Sequence, residues 1–66
     1  MKTFTIIYRT GTRESFLWQR HSVTENKLLA EVIKQDLEQH GGHKALVHDT
    51  KRLDAIGLPE TYDVKA

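Results

Sequence analysis

The sequence predicts a single α+β domain of element order β-β-α-β, with a three-stranded antiparallel sheet of order 2-1-3 and one helix packed on one face. Three observations predict it. Two alternating segments rich in β-branched and aromatic residues flank a glycine turn. Residues 25–40 place apolar side chains at helical spacing as far as a Gly-Gly stop, and a short apolar run follows. At 66 residues the chain has room for one core, and a domain of this size is marginally stable alone.

Residues 2–9 (KTFTIIYR) read as the first strand and residues 14–21 (ESFLWQRH) as the second. Thr10-Gly11-Thr12 reads as a three-residue turn, with Gly11 free to take positive φ. Directly opposed residues share a sheet face, so this loop opposes Arg9 to Arg13, Ile6 to Phe16 and Phe4 to Trp18. One face then carries Phe4, Ile6, Tyr8, Phe16 and Trp18. The other carries Thr3, Thr5, Ile7, Arg9, Arg13, Leu17, Gln19 and His21. A two-residue loop would shift the register and mix the two sets. The sorted register is preferred because it yields one apolar face.

Residues 25–40 (ENKLLAEVIKQDLEQH) form an amphipathic helix. Lys27, Glu31, Lys34 and Glu38 fall on one narrow arc, spaced for i,i+4 ion pairs. Leu28, Leu29, Ala30, Val32, Ile33 and Leu37 fill the opposite side. Thr24 is the expected N-cap, with Ser22 and Glu25 as a competing capping box, and Gly41-Gly42 ends the helix. The apolar side is broad, with Leu28 and Ala30 about 160° apart, so a second contact is expected from the C-terminal segment.

Residues 43–48 (HKALVH) read as a third strand, and Asp49 or Thr50 caps a short helical turn, Lys51 to Ile56, stopped by Gly57 and Pro59. Leu53, Ile56 and Leu58 are expected to cover the remaining flank of the helix. Residues 60–66 are a tail or a short edge strand. A right-handed crossover from the second strand to the third passes over the first and makes all neighbours antiparallel. The expected core is Phe4, Ile6, Phe16, Trp18, Leu29, Val32, Ile33 and Val47. The second sheet face is left open to solvent or to a partner.

Composition narrows the function classes. Hydrophobic residues make up 38%, charged residues 29%, and the net charge is +1, as in ordinary globular domains. No apolar run approaches the roughly 20 residues that span a bilayer, and the N-terminus does not read as a signal peptide. Cysteine is absent, which suits a reducing, cytoplasmic compartment. Residues 1–22 carry a net charge of +3 and residues 23–40 a net of −2, a mild bias toward an anionic partner at the hairpin.

Chemistry-bearing constellations are sparse. His40-Gly-Gly-His43 has a metal-like spacing, but the glycines break the helix between the two rings and no thiolate accompanies them, so no metal and no cofactor are expected. Asp36 falls inside the apolar arc of the helix with His40 at i+4, an arrangement read as a structural pair rather than a general acid–base pair. Ser15 and Ser22 lack a partnering base, and no phosphate loop or nucleophile elbow is present. An enzyme is therefore ranked last.

Tyr8-Arg9-Thr10-Gly11-Thr12, then Phe16-Leu17-Trp18, a helix and a final strand resemble short uncharacterised proteins encoded by phages and prophages. Leu53-Asp54-Ala55-Ile56-Gly57-Leu58-Pro59 fits the same pattern. The resemblance implies a mobile-element origin and a bacterial cytoplasm, and no activity. The function expected from the residues is a non-catalytic binding module acting by protein–protein contact through Arg9, Arg13, Leu17, Gln19 and His21 on the open sheet face. The rival is weak RNA or DNA binding by the basic, aromatic hairpin. No membrane partner is expected, and a monomer is preferred over a homodimer.

Overall fold

A computed structural model describes residues 2–63. In chain order it contains β1 (Phe4–Gly11), β2 (Phe16–Thr24), α1 (Lys27–Gln39), β3 (Ala45–Asp49) and α2 (Thr50–Ile56). The three strands form one antiparallel sheet of order β2-β1-β3, as the crossover rule requires. Of the expected tail, residues 64–66 lie outside the described residues, and residues 60–63 contain bends and no strand.

The hairpin departs from the expected register. Its tip is Arg13-Glu14, closed by Thr12 and Ser15, whose backbone groups exchange hydrogen bonds of 2.8 and 3.0 Å. Gly11 sits at the end of β1 with φ +92°, where a Cβ would collide with the Ser15 carbonyl oxygen. That close approach, not the tip itself, is what requires glycine. Arg9 now opposes Trp18 and Ile7 opposes Arg20. From Phe16 to Arg20 the pairing differs from the expected one by an odd number of residues, so these side chains of β2 change face relative to β1. The register then slips once more at a bulge between Ile6 and Ile7, where His21 is the extra residue.

Two small cores result, one on each face. Ile7, Trp18 and Leu53 are buried together, with Phe16 and Leu46 packed against them. This face is covered by α2 and, at its hairpin end, by residues 61–63 of a strap formed by residues 57–63. It is fixed further by a 2.8 Å Thr5–Thr50 hydroxyl hydrogen bond and a 2.8 Å Arg20–Asp54 ion pair. The opposite face holds Ile6 and Ala45 under α1, whose Ala30 is fully buried. The expected single cluster is thus divided: Phe16 and Trp18 lie on the α2 side, and Leu29 and Val32 are exposed. Leu53 serves the sheet rather than the flank of α1, while Ile56 and Leu58 stay exposed.

Helix α1 begins two residues later than expected for a Thr24 cap. Asn26 is the N-cap, its side-chain oxygen accepting from the N–H of Leu28 at 2.9 Å and of Leu29 at 3.3 Å. Thr24 supports the cap by accepting from the Asn26 N–H at 3.2 Å. At the other end the N–H groups of Gly41 and His43 both donate to the Leu37 carbonyl at 3.1 Å. Lys34–Glu38 is the i,i+4 pair that closes, at 3.8 Å.

Asp49 joins β3 to α2 and caps it, accepting from the Lys51 N–H at 3.0 Å. Desolvation pushes its carboxyl up. The N–H groups of Lys51 and Arg52 and the Lys2 ammonium, 3.5 Å away, outweigh this and hold it below the ordinary value. A carboxyl depressed in the folded state adds stability above its unfolded pKa of about 3.9, and that contribution is lost as pH falls through the folded value. Asp49→Asn keeps a good cap and removes the titration. Urea denaturation at neutral pH and below about pH 4 should show a smaller acid-induced loss for Asp49→Asn than for the wild type. Equal losses would remove Asp49 as a source of acid sensitivity.

Candidate interaction surfaces

The five residues expected to form one binding face do not share one. The odd register change sets Arg9 on the α2 face, Arg13 at the hairpin tip, and Leu17 and Gln19 on the α1 face. The bulge residue His21 also turns toward α1's side, its ring edge-on to Tyr8 at 5.7 Å. Gln19 accepts from the Tyr8 hydroxyl at 3.1 Å, and His43 meets the other flank of the same ring at 5.4 Å. Leu17 is 58% exposed. Ile7, expected on the open face, is fully buried.

That face is not open. Residues 61–63 lie across its hairpin end. The Trp18 indole N–H donates to the Thr61 carbonyl at 2.9 Å, and the Arg9 guanidinium donates to the Tyr62 carbonyl at 2.6 Å. Arg9 also lies 3.5 Å from the centre of the Tyr62 ring, with Arg13 at 4.7 Å from it and Phe16 edge-on at 5.5 Å. Arg13 pairs with the Asp63 carboxylate at 3.2 Å. Local sequence gives no sign of this, because the contacts join residues some 50 positions apart. Tyr62, in a C-terminal segment without sequence periodicity, is the hub of these contacts.

A second surface was hidden by the same rearrangement. Ala30 faces the sheet, and Val32 lies about 160° from it around the helix. Part of the apolar side of α1 therefore points to solvent, while Ile33 and Leu37 turn inward beside Ala30 and are half-buried. Leu28 is 78% exposed, Leu29 47% and Val32 60%. On the arc expected to face water Lys27 stays exposed and Glu31 is half-buried, while the side chains of Lys34 and Glu38 are only 31% and 34% exposed. Glu25, Gln35, Asp36 and Gln39 rim the outward stripe, all exposed, and no lysine or arginine falls on it. Asp36 and His40 stand 3.7 Å apart at one end, both largely exposed, which makes them a surface pair.

Among the described residues no three histidine or acidic side chains converge to hold a metal ion. No helix of the described residues is long and apolar enough to cross a membrane. Comparison with protein-family models, with curated proteins and with solved structures finds no match to this chain.

Proposed function

We propose that this protein is a non-catalytic binding module of the cytoplasm that acts by protein–protein contact through the outward face of α1. The observation that carries the reading is the orientation of that helix. Three large aliphatic side chains, Leu28, Leu29 and Val32, face water in a chain with few apolar residues to spare. A contiguous apolar stripe rimmed by polar residues is the signature of an interaction site. Its rim points to the partner's chemistry: Glu25 and Asp36 favour an apolar surface bordered by lysine or arginine.

The same charges disfavour self-association. In an antiparallel pair that sets Leu28 of one copy against Val32 of the other, Glu25 would face Asp36. A monomer is therefore the expected free state. Nucleic-acid binding by the hairpin is the weaker reading, because Arg9 and Arg13 are taken up by residues 62 and 63.

A photo-crosslinking side chain installed at Val32, with the exposed tip residue Glu14 as control, tests the reading in host cells. Specific adducts are expected at position 32 and should disappear when Leu28→Glu is added. Adducts no more frequent at 32 than at 14 would reject the surface. Leu28→Glu/Val32→Glu should leave stability within about 0.5 kcal/mol of wild type, because both side chains are already solvated. Sedimentation equilibrium should return a constant mass near 7.6 kDa.

A further inference from the structure

The geometry points to a second binding site, at the hairpin end of the α2 face, for a short bent peptide that carries an aromatic residue followed by an acidic one, and the chain's own strap fills that site in cis. The site is a set of donors and rings that reads three successive residues. Trp18 Nε1 and the Arg9 guanidinium each donate to a main-chain carbonyl, those of Thr61 and Tyr62, at 2.9 and 2.6 Å. The captured segment is a turn, closed by the Thr61 hydroxyl donating to the Asp63 carbonyl at 2.9 Å, and the two carbonyl contacts fix its direction. Side-chain selection comes next. Arg9 stacks on the Tyr62 ring at 3.5 Å, Phe16 closes its edge, and Arg13 pairs with the acidic group one residue further on.

The strap is held only at its end. Ile56, which ends α2, and the first strap residues, 57 and 58, are exposed, and Gly57 has φ +80°. An open cleft of about 460 Å3 runs between His48 and residues 56–61, so the strap bridges rather than packs along this stretch. The Nε2 atom of His48 on the cleft's wall is buried without a hydrogen-bond partner. A short tether presents the strap at an effective concentration in the millimolar range. A competing peptide must overcome that concentration, so the strap acts as a built-in threshold for the partner. Two carbonyls are among the strap's main contacts, which favours a peptide over a nucleic acid as the exchangeable ligand.

The test uses the full chain with Tyr62→Ala/Asp63→Ala and, as the probe, a synthetic peptide of residues 58–63 (LPETYD). The emission of Trp18, the single tryptophan, reports occupancy. The double variant should bind the peptide at least about tenfold more tightly than wild type, since the cis competitor has lost its ring and its carboxylate and keeps only its carbonyl contacts, with a blue shift of Trp18. Adding Arg9→Ala should abolish binding. Asp63→Arg alone, at a largely exposed pair that does not support the core, should shift affinity in the same direction and guards against misfolding of the double variant. Equal affinity in wild type and both variants, or no binding to either variant with an unchanged circular dichroism spectrum, overturns the proposal. So does tighter binding of an oligouridylate than of the peptide with a steep salt dependence, which would assign the site to single-stranded nucleic acid. The outcome is independent of the α1 surface, which lies on the other side of the sheet.

Discussion

Trp18→Ala is expected to destabilise the protein by about 3–5 kcal/mol, the usual range for truncating a buried tryptophan. A 66-residue domain has roughly 3–10 kcal/mol in total, so the variant should lose a large share of its stability and unfold at a much lower denaturant concentration than wild type. Trp18 is 3% exposed and sits between Ile7 and Leu53, with its indole N–H donated to Thr61. Removing it opens the α2 core and releases the strap together. Wild-type emission should be blue-shifted and protected from iodide. Trp18→Phe separates the two roles, because it keeps most of the apolar volume and loses the hydrogen bond, which is worth about 1 kcal/mol. Free iodide quenching in the folded wild type would place the indole in water and refute the packing of this face.

Leu53→Ala is the second large effect, with an expected loss of about 2–5 kcal/mol. Leu53 is the fully buried side chain by which α2 reaches the sheet. A helix of seven residues is unstable by itself. Without that anchor, α2 and the strap that follows should detach while the hairpin and α1 persist. The matched control is Leu29→Ala on the outward side of α1, which should change stability by less than about 0.5 kcal/mol. Guanidinium denaturation of the two variants decides the orientation of both helices at once. If Leu29→Ala proved as costly as Leu53→Ala, the apolar arc of α1 would face the sheet. The outward stripe, and the function proposed from it, would then fall.

Sequence patterns alone determined the local structure. The alternation in FTIIYR, the helical spacing from Leu28 to Leu37, the Gly41-Gly42 stop and the Asp49 cap each act over a few residues, and each lies in the element it predicts. The strand order follows from chain connectivity and the handedness of the crossover, so it too was legible. Burial of Trp18 with a satisfied indole was legible because a chain this short has little else to bury.

Tertiary structure decided the faces. Thr10-Gly11-Thr12 and Arg13-Glu14 both suit a tip, and moving from one to the other reverses the side of Phe16 to Arg20, until the bulge at His21 restores the original parity. The sorted register is favoured only if one sheet face is wet. Here α2 and the strap cover the second face, so apolar residues are needed on both, and the mixed register satisfies both. With Phe16 and Trp18 on the other side, the face under α1 offers buried Ile6 and Ala45 with half-buried Phe4, Tyr8 and Val47 around them. Small Ala30 meets it closely, which turns Leu28, Leu29 and Val32 outward. Arg9, Arg13, Gln19 and His21 could be picked out by residue type, but their partners are set by contacts across the whole chain. No local period encodes a tyrosine at position 62 lying on an arginine at position 9.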